Sequence, residues 1–404
     1  MTSQAPVRTL RRIPSGVWVL GGVSLLMDVS SEAIHSLLPV FLVGTLGSSA
    51  FMVGLIDGAA EATALIVKIF SGALSDYLGR RKLLAAIGYA LGAASKPLFA
   101  LAWSPAWVLL ARLVDRTGKG IRGAPRDALI ADIVPAQLRG AAFGLRQSLD
   151  TVGAFVGPLL AMGLMLLWHN DFRAVFGVAV IPAFLCVLLL LLGIREPEVA
   201  APQRRANPLR LRSLDRLPRD YWRVVIIGAV FTLARFSEAF LVLRATQGGL
   251  PVAFAPLVLI GMNVVYALSA YPFGKLADSM EPTRLLVRSL PLLIAADAAL
   301  AWSSAWPWVW LGISLWGLHM GMTQGLLAKM VVDTAPAELR GTAYGFFNLL
   351  SGLATLAASA LAGLLWDHFG ASYTFCTGMG LSLAALALLL GLKRAPASGP
   401  AASR

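Results

Sequence analysis

Charge is scarce in this chain. Asp, Glu, Lys and Arg make up 14% of its 404 residues, where soluble domains carry about 25%. Acids are the scarcer sign: 21 Asp and Glu stand against 34 Lys and Arg, a net charge of +13. No hydrophilic block is long enough to fold as a soluble domain. Cysteine is nearly absent. Cys186 and Cys376 lie in separate apolar runs without metal or redox spacing, so both are expected to be packed free thiols. No nucleophile is paired with a base and no loop cradles phosphate, so nothing supports an enzyme or calls for a cofactor. What fills the chain is apolar: 57% of residues are hydrophobic and mean hydropathy is +0.74. This is the composition of a protein that crosses a lipid bilayer many times.

The surplus cations do not point to nucleic acid. They gather in short loops between apolar runs, as membrane topology requires. A span needs about 20 apolar residues. Twelve runs qualify, over 16–44, 51–77, 83–103, 106–132, 138–167, 172–194, 222–246, 252–279, 285–304, 307–333, 339–366 and 372–393. The even-numbered connections and the tails carry Arg8, Arg11, Arg12, Arg80, Arg81, Lys82, Arg139, the Arg-rich segment after 195, Arg284, Arg340, Lys393 and Arg394. The other loops hold almost no cations, Arg173 excepted. Both termini are therefore expected in the cytoplasm, with the chain in the cytoplasmic (inner) membrane. The run after Arg12 lacks a cleavage site, so it is expected to stay as a first helix. The Ala-, Leu- and Arg-rich usage has a bacterial character.

The Pro- and Arg-rich stretch Glu196 to Asp220 has no apolar run and divides six spans from six. The expected units are 1–194, a linker over 195–221, and 222–404. The halves repeat. Pro135-Ala-Gln-Leu-Arg-Gly-Ala-Ala-Phe-Gly144 matches Pro336-Ala-Glu-Leu-Arg-Gly-Thr-Ala-Tyr-Gly345 at seven of ten positions. Parallel duplication predicts an all-α membrane protein of twelve transmembrane helices in two pseudo-symmetric six-helix bundles.

The loop between the second and third spans reads Gly72-Ala-Leu-Ser-Asp76-Tyr-Leu-Gly79-Arg80-Arg81-Lys82, with an echo at Gly274-Lys-Leu-Ala-Asp278. It resembles the helix 2–3 loop of the major facilitator superfamily of transporters. The resemblance covers essentially the whole chain. It implies a substrate site at the midplane between the halves. It also implies a gate in which Asp76 sits near the start of helix 11 and Arg80 binds across the loop, with Asp278 as a weaker counterpart. The run Gly144-x8-Gly153-x3-Gly157-Pro158 resembles the helix 5 signature of proton-coupled antiporters in that superfamily, with Ala161 in place of the usual last Gly. Small residues at that spacing permit close helix packing.

Charges at bilayer depth cost about 2.5–3.5 kcal/mol or more each, so they mark an interior or a wet cavity. Helix 1 carries Asp28, Glu32 and His35 on one face; helix 7 carries Arg235 and Glu238. Ser31-Glu32-Ala33 and Ser237-Glu238-Ala239 look like counterparts, and the resemblance puts both glutamates in the central cavity. Asp28, Glu32 and Glu238 are candidates for proton coupling, with Asp57 and Glu61 of helix 2 extending the path or balancing basic groups on helix 4. Helix 4 carries Arg112, Asp115, Arg116, Lys119, Arg122 and Arg126 in one polar stripe. Arg116-x-x-Lys119-Gly120 resembles the superfamily's Arg-x-x-Gln-Gly pattern, with Lys for Gln. The cavity candidates are His35, Arg112, Asp115, Arg116, Arg146, Asp150 and Arg235. Structural ion pairing is the competing account of each.

The function these features imply is secondary active transport, as proton-coupled export of a small organic compound by alternating access. The alternative is a proton-coupled carrier of organic anions or metal chelates, and behind it a divalent metal carrier using Asp28, Glu32 and His35. The expected partners are the small-molecule substrate, protons and the lipid bilayer; the superfamily implies a monomer. No resident metal site is expected.

Overall fold

A computed structural model describes residues 13–196 and 215–394. The tail cations Arg8, Arg11 and Arg12 and most of the linker lie outside the described residues. Every described element is helical. The passes are α1 (Ser15–His35), α2 (Ala50–Leu78), α3 (Arg81–Ala100), α4 (Pro105–Ile133), α5 (Arg139–Leu167) and α6 (Phe172–Gly193). Then come α7 (Arg219–Leu233 and Ala239–Gln247), α8 (Pro256–Ser279), α9 (Pro282–Trp302), α10 (Trp306–Thr323 and Leu326–Thr334), α11 (Arg340–Phe369) and α12 (Ala371–Arg394). Among the described residues nine helices are long and apolar enough to cross a bilayer. The other three passes are α4, which carries the polar stripe, and the interrupted α7 and α10.

Local chemistry sets the ends. Ser49 caps α2, its side chain accepting from Met52 N, and Asp171 caps α6. Gly79 and Gly370 end α2 and α11 in the left-handed region, at φ 62° and 91°, which only glycine adopts freely. The duplicated motifs fold alike. Pro135 (φ −54°, ψ 147°) and Pro336 (φ −54°, ψ 145°) each precede one 3-10 turn that runs into α5 or α11.

Three runs expected as single spans are interrupted. After His35, α1 stops and resumes as the short Leu38–Val40 helix and a π-helical turn, Phe41–Thr45. Pro39 explains this, since it has no N–H and crowds the preceding turn. Gly325, at φ 72°, splits α10. The break in α7, over residues 234–238, has no Pro or Gly. Side chains satisfy its backbone instead: Ser237 N donates to Ser359 Oγ and Ala239 N donates to Ser237 Oγ. Freed backbone groups are tolerated at membrane depth only when they are satisfied in this way. α7 also starts at Arg219, earlier than the expected 222. Cys376, expected to be packed, is exposed; Cys186 is buried.

The helices form two bundles. In the first, α1 packs on α5 and α6, α3 on α4 and α6, and α2 on α4. In the second, α8 and α9 pack on α10, α9 on α12, and α7 on α11 and α12. Between bundles α2 faces α11 and α5 faces α8. The hydrophobic core has three parts. One contains only first-half residues, such as Leu20, Tyr89 and Leu129. Another contains only second-half residues, such as Tyr221, Leu286 and Phe347. The third is shared, joining Ile34, Leu37, Phe41 and Ile56 to Phe240, Leu241, Val242 and Trp316. The bundles are therefore sealed together on the side away from the α2–α3 loop, here the far side. On the loop side each keeps its own core.

Candidate functional site

The space between the bundles is a cavity of two connected lobes, each about 430 Å³. They share Glu32, Glu61, Leu65, Lys119, Ala154 and Asn263. The lobe nearer the loop side adds Asp28, Lys68, Arg122, Arg126, Asp127 and Asp150. The deeper lobe adds His35, Asp57, Arg116, Arg235, Ser237 and Glu238.

Close packing places the α1 acids. A Cβ at Gly153 would stand 2.8 Å from the Leu25 carbonyl and 2.9 Å from Asp28 Cβ. One at Gly157 would stand 2.7 Å from the Val29 carbonyl and 3.1 Å from Glu32 Cβ. Only glycine lets α5 come this near, so the α5 motif backs the two turns of α1 that carry Asp28 and Glu32. Pro158 and Ala161 are buried in the same helix. Gly144 has open space around it and is not part of the contact.

Most charges are paired. Arg112 donates to Asp57, whose other carboxylate oxygen accepts from Ser237 Oγ across the bundle boundary. His35 stands 3.5 Å from both Glu32 and Asp57 through its two ring nitrogens. Arg116 pairs with Glu61 at 3.1 Å, Lys96 with Asp115 at 2.7 Å, and Arg146 with Asp150 at 2.7 Å. Arg126 bridges Asp127 and Ser24 Oγ. Arg122 lies over the Tyr89 ring, 4.9 Å from its centroid. Lys119, Arg235, Asp28 and Glu238 have no ion-pair partner among the described residues. Lys68 and Arg122, also on the cavity wall, have none either, and these six are the charges free to answer a solute. Arg235 and Glu238 sit in the α7 break itself, where the helix opens onto the deeper lobe.

Nine of the twelve proton-coupling and cavity candidates line the cavity: Asp28, Glu32, His35, Asp57, Glu61, Arg116, Asp150, Arg235 and Glu238. Arg112, Asp115 and Arg146 do not; they stand behind the wall, where Arg112 and Arg146 hold the acids Asp57 and Asp150, and Asp115 holds a base. Lys96, a lone charge in the sequence, is the buried partner of Asp115. Asp297 is fully buried in α9 and neither carboxylate oxygen has a hydrogen-bond partner among the described residues. No group of three or more His, Cys, Asp or Glu converges as metal ligands would, among the described residues. In the loop motif Gly72 packs near Ala124 of α4. Arg81 donates to Asp132 and to the Ala128 carbonyl, and Arg80 is exposed. The side chains of Asp76 and Asp278 lie outside the described residues. Sequence reasoning missed Asn263 and Tyr266, and it named Ser237 only as a neighbour of Glu238, without its bond to Asp57. The first two are ordinary residues in an apolar run; Ser237 adjoins the charged pair that marks the α7 break.

Two six-helix bundles, a charge-lined cavity between them, and unpaired charges facing that cavity define a multi-pass membrane transporter of small solutes. Known proteins bear this out. The sequence pattern of the Major Facilitator Superfamily matches residues 20–359, and this chain belongs to that family. An MFS-type transporter of Methanocaldococcus jannaschii is 30% identical over 386 residues, 94% of this chain and 95% of that one. The multidrug resistance protein MdtH of Cronobacter sakazakii is 33% identical over 164 residues, 40% of each chain. The crystal structure of the nucleoside transporter NupG superposes with a TM-score of 0.78 at 14% identity, covering 93% of this chain and 99% of that one. That likeness speaks to the fold.

Proposed function

We propose that this protein exports a small organic compound in exchange for protons, by alternating access. The observation that carries this reading is the α5–α1 contact. The segment resembling an antiporter signature is the surface on which Asp28 and Glu32 are set, and both acids face the cavity. A carboxylate in an intermittently wet, low-dielectric site exchanges protons as the cavity changes sides. Glu238, in the α7 break, is the second-half counterpart of Glu32. The similarity to a multidrug resistance protein favours export. The loop side is then cytoplasmic, the membrane is the inner membrane, and the state seen here is open inward. The functional units are 1–194 and 222–404, joined by the linker over 195–221, and the transporter works as a monomer.

One observation favours a second reading, a proton-coupled carrier of organic anions. Lys119 of α4 and Arg235 of α7 reach the deeper lobe from opposite bundles, and neither has an acid within ion-pair distance among the described residues. Everted membrane vesicles with an imposed pH gradient separate the two. Amphiphilic cations, organic anions and divalent metals are added in turn, and collapse of the gradient is followed. The export reading expects one organic class to collapse the gradient in wild type and in neither Glu32→Gln nor Asp28→Asn. A response to organic anions that is lost in Lys119→Gln supports the second reading. Mutants of α1 that work as well as wild type would sink proton coupling through that helix.

A further inference from the structure

We infer that Asp367 is a gating latch which holds the far side shut, the opposite-end counterpart of the Asp76 position. Asp367 lies in the last turn of α11, in the second bundle. Its two carboxylate oxygens accept from the first two backbone N–H groups of α2, in the first bundle: Ala50 N at 2.9 Å and Phe51 N at 2.8 Å. The next two donors of α2 are met locally, Met52 N by Ser49 Oγ and Val53 N by Ser49 O. Half of the α2 N-terminus is thus capped from the other bundle. A helix start left uncapped, or a carboxylate removed from it, loses a favourable dipole contact as well as hydrogen bonds. The contact cannot survive separation of the bundles on that side.

The two ends of the α2–α11 pair have the same device. Asp367-His-Phe-Gly370 ends α11 and Asp76-Tyr-Leu-Gly79 ends α2. Each aspartate stands three residues before the glycine that closes its helix at positive φ. The helices run antiparallel, with residues 54 and 359, 58 and 356, and 62 and 352 in contact. Carrying that register to the far side brings Asp367 to the start of α2, where it is bound. Carrying it to the loop side brings position 76 to the start of α11 at Arg340. The far-side latch is made in this state. The loop-side position is placed to make its own when the loop side closes. The pair then works as a two-ended switch whatever the substrate is.

The test is conformational and needs no substrate. In the full-length protein in nanodiscs, with Cys376→Ser, Val53→Cys reports the far side and Ala154→Cys the cavity. A water-soluble thiol reagent labels each. Asp367→Asn is expected to speed labelling of the far-side reporter and slow that of the cavity reporter, shifting their ratio about five-fold, the effect of one helix cap. Ala50→Pro is the second variant. It removes one donor and leaves the carboxylate, at a first helical position that suits proline, after Ser49 with extended ψ of 160°. It is expected to shift the ratio the same way, and Asp76→Asn the opposite way. A folded Asp367→Asn protein with lowered melting temperature but an unchanged ratio would make Asp367 a structural cap and overturn the latch. A shift by Asp76→Asn in the same direction as Asp367→Asn would overturn the two-ended switch.

Discussion

At the scale of single residues the molecule is a set of buried charges, most of them answered by name. Lys96 and Asp115 are 1% and 4% exposed at the side chain and 2.7 Å apart. Removing one partner strands the other at bilayer depth, which costs about 3–5 kcal/mol in buried pairs. Lys96→Met is therefore expected to lower the thermal unfolding temperature sharply in detergent. Adding Asp115→Leu should recover much of the loss. A double mutant as unstable as the sum of the singles would refute the pairing. Which residues are charged was plain in the sequence, and so was their clustering on α1, α4 and α7. Which acid answers which base was not. Lys96 meets Asp115 from a neighbouring helix, and Asp57 meets Ser237 from 180 positions away; periodicity along one helix carries no such information.

At the scale of elements, the twelve passes and the duplicated halves were legible because apolar length and loop cations report them directly. The interruptions divide by cause. Pro39 and Gly325 are visible local reasons for a break. The α7 break has none, because its backbone is satisfied by Ser359, which joins it only through the fold. The α5–α1 contact gives an element-scale prediction. Gly157→Val places atoms against the Val29 carbonyl and Glu32, an overpacking that costs about 1–3 kcal/mol. Flux in vesicles should fall by more than the yield of folded protein does. Gly144→Ala, where space is open, should leave both unchanged. Equal behaviour of the two variants would remove the α5 motif from the mechanism.

At the scale of the whole molecule, two private cores and one shared core set what can move. Each bundle holds itself together on the loop side, so under the proposed alternating access the bundles can move as bodies, the far-side seam parting as the loop side closes. A Cβ at Gly363 would stand 2.5 Å from Phe51 Cα, so Gly363→Leu wedges that seam. Spin labels on α2 and α11 at the far side should show a longer and broader separation in this variant. An unchanged distance distribution would mean that Gly363 does not set how closely the seam shuts. The makeup of the seam has a further consequence. Where α2 and α11 touch, the contacting residues include Ala50, Gly54, Gly58, Ala62, Gly352, Ser359 and Gly363, which have little or no apolar side chain. Wetting apolar surface costs about 25 cal/mol per Å². Parting the glycine and alanine strip itself exposes little of it; the cost of opening the far side falls instead on the shared core beside the strip, where Ile34 and Phe41 meet Phe240 and Trp316. Leucines along the strip would hold the two helices apart and add apolar area to that cost.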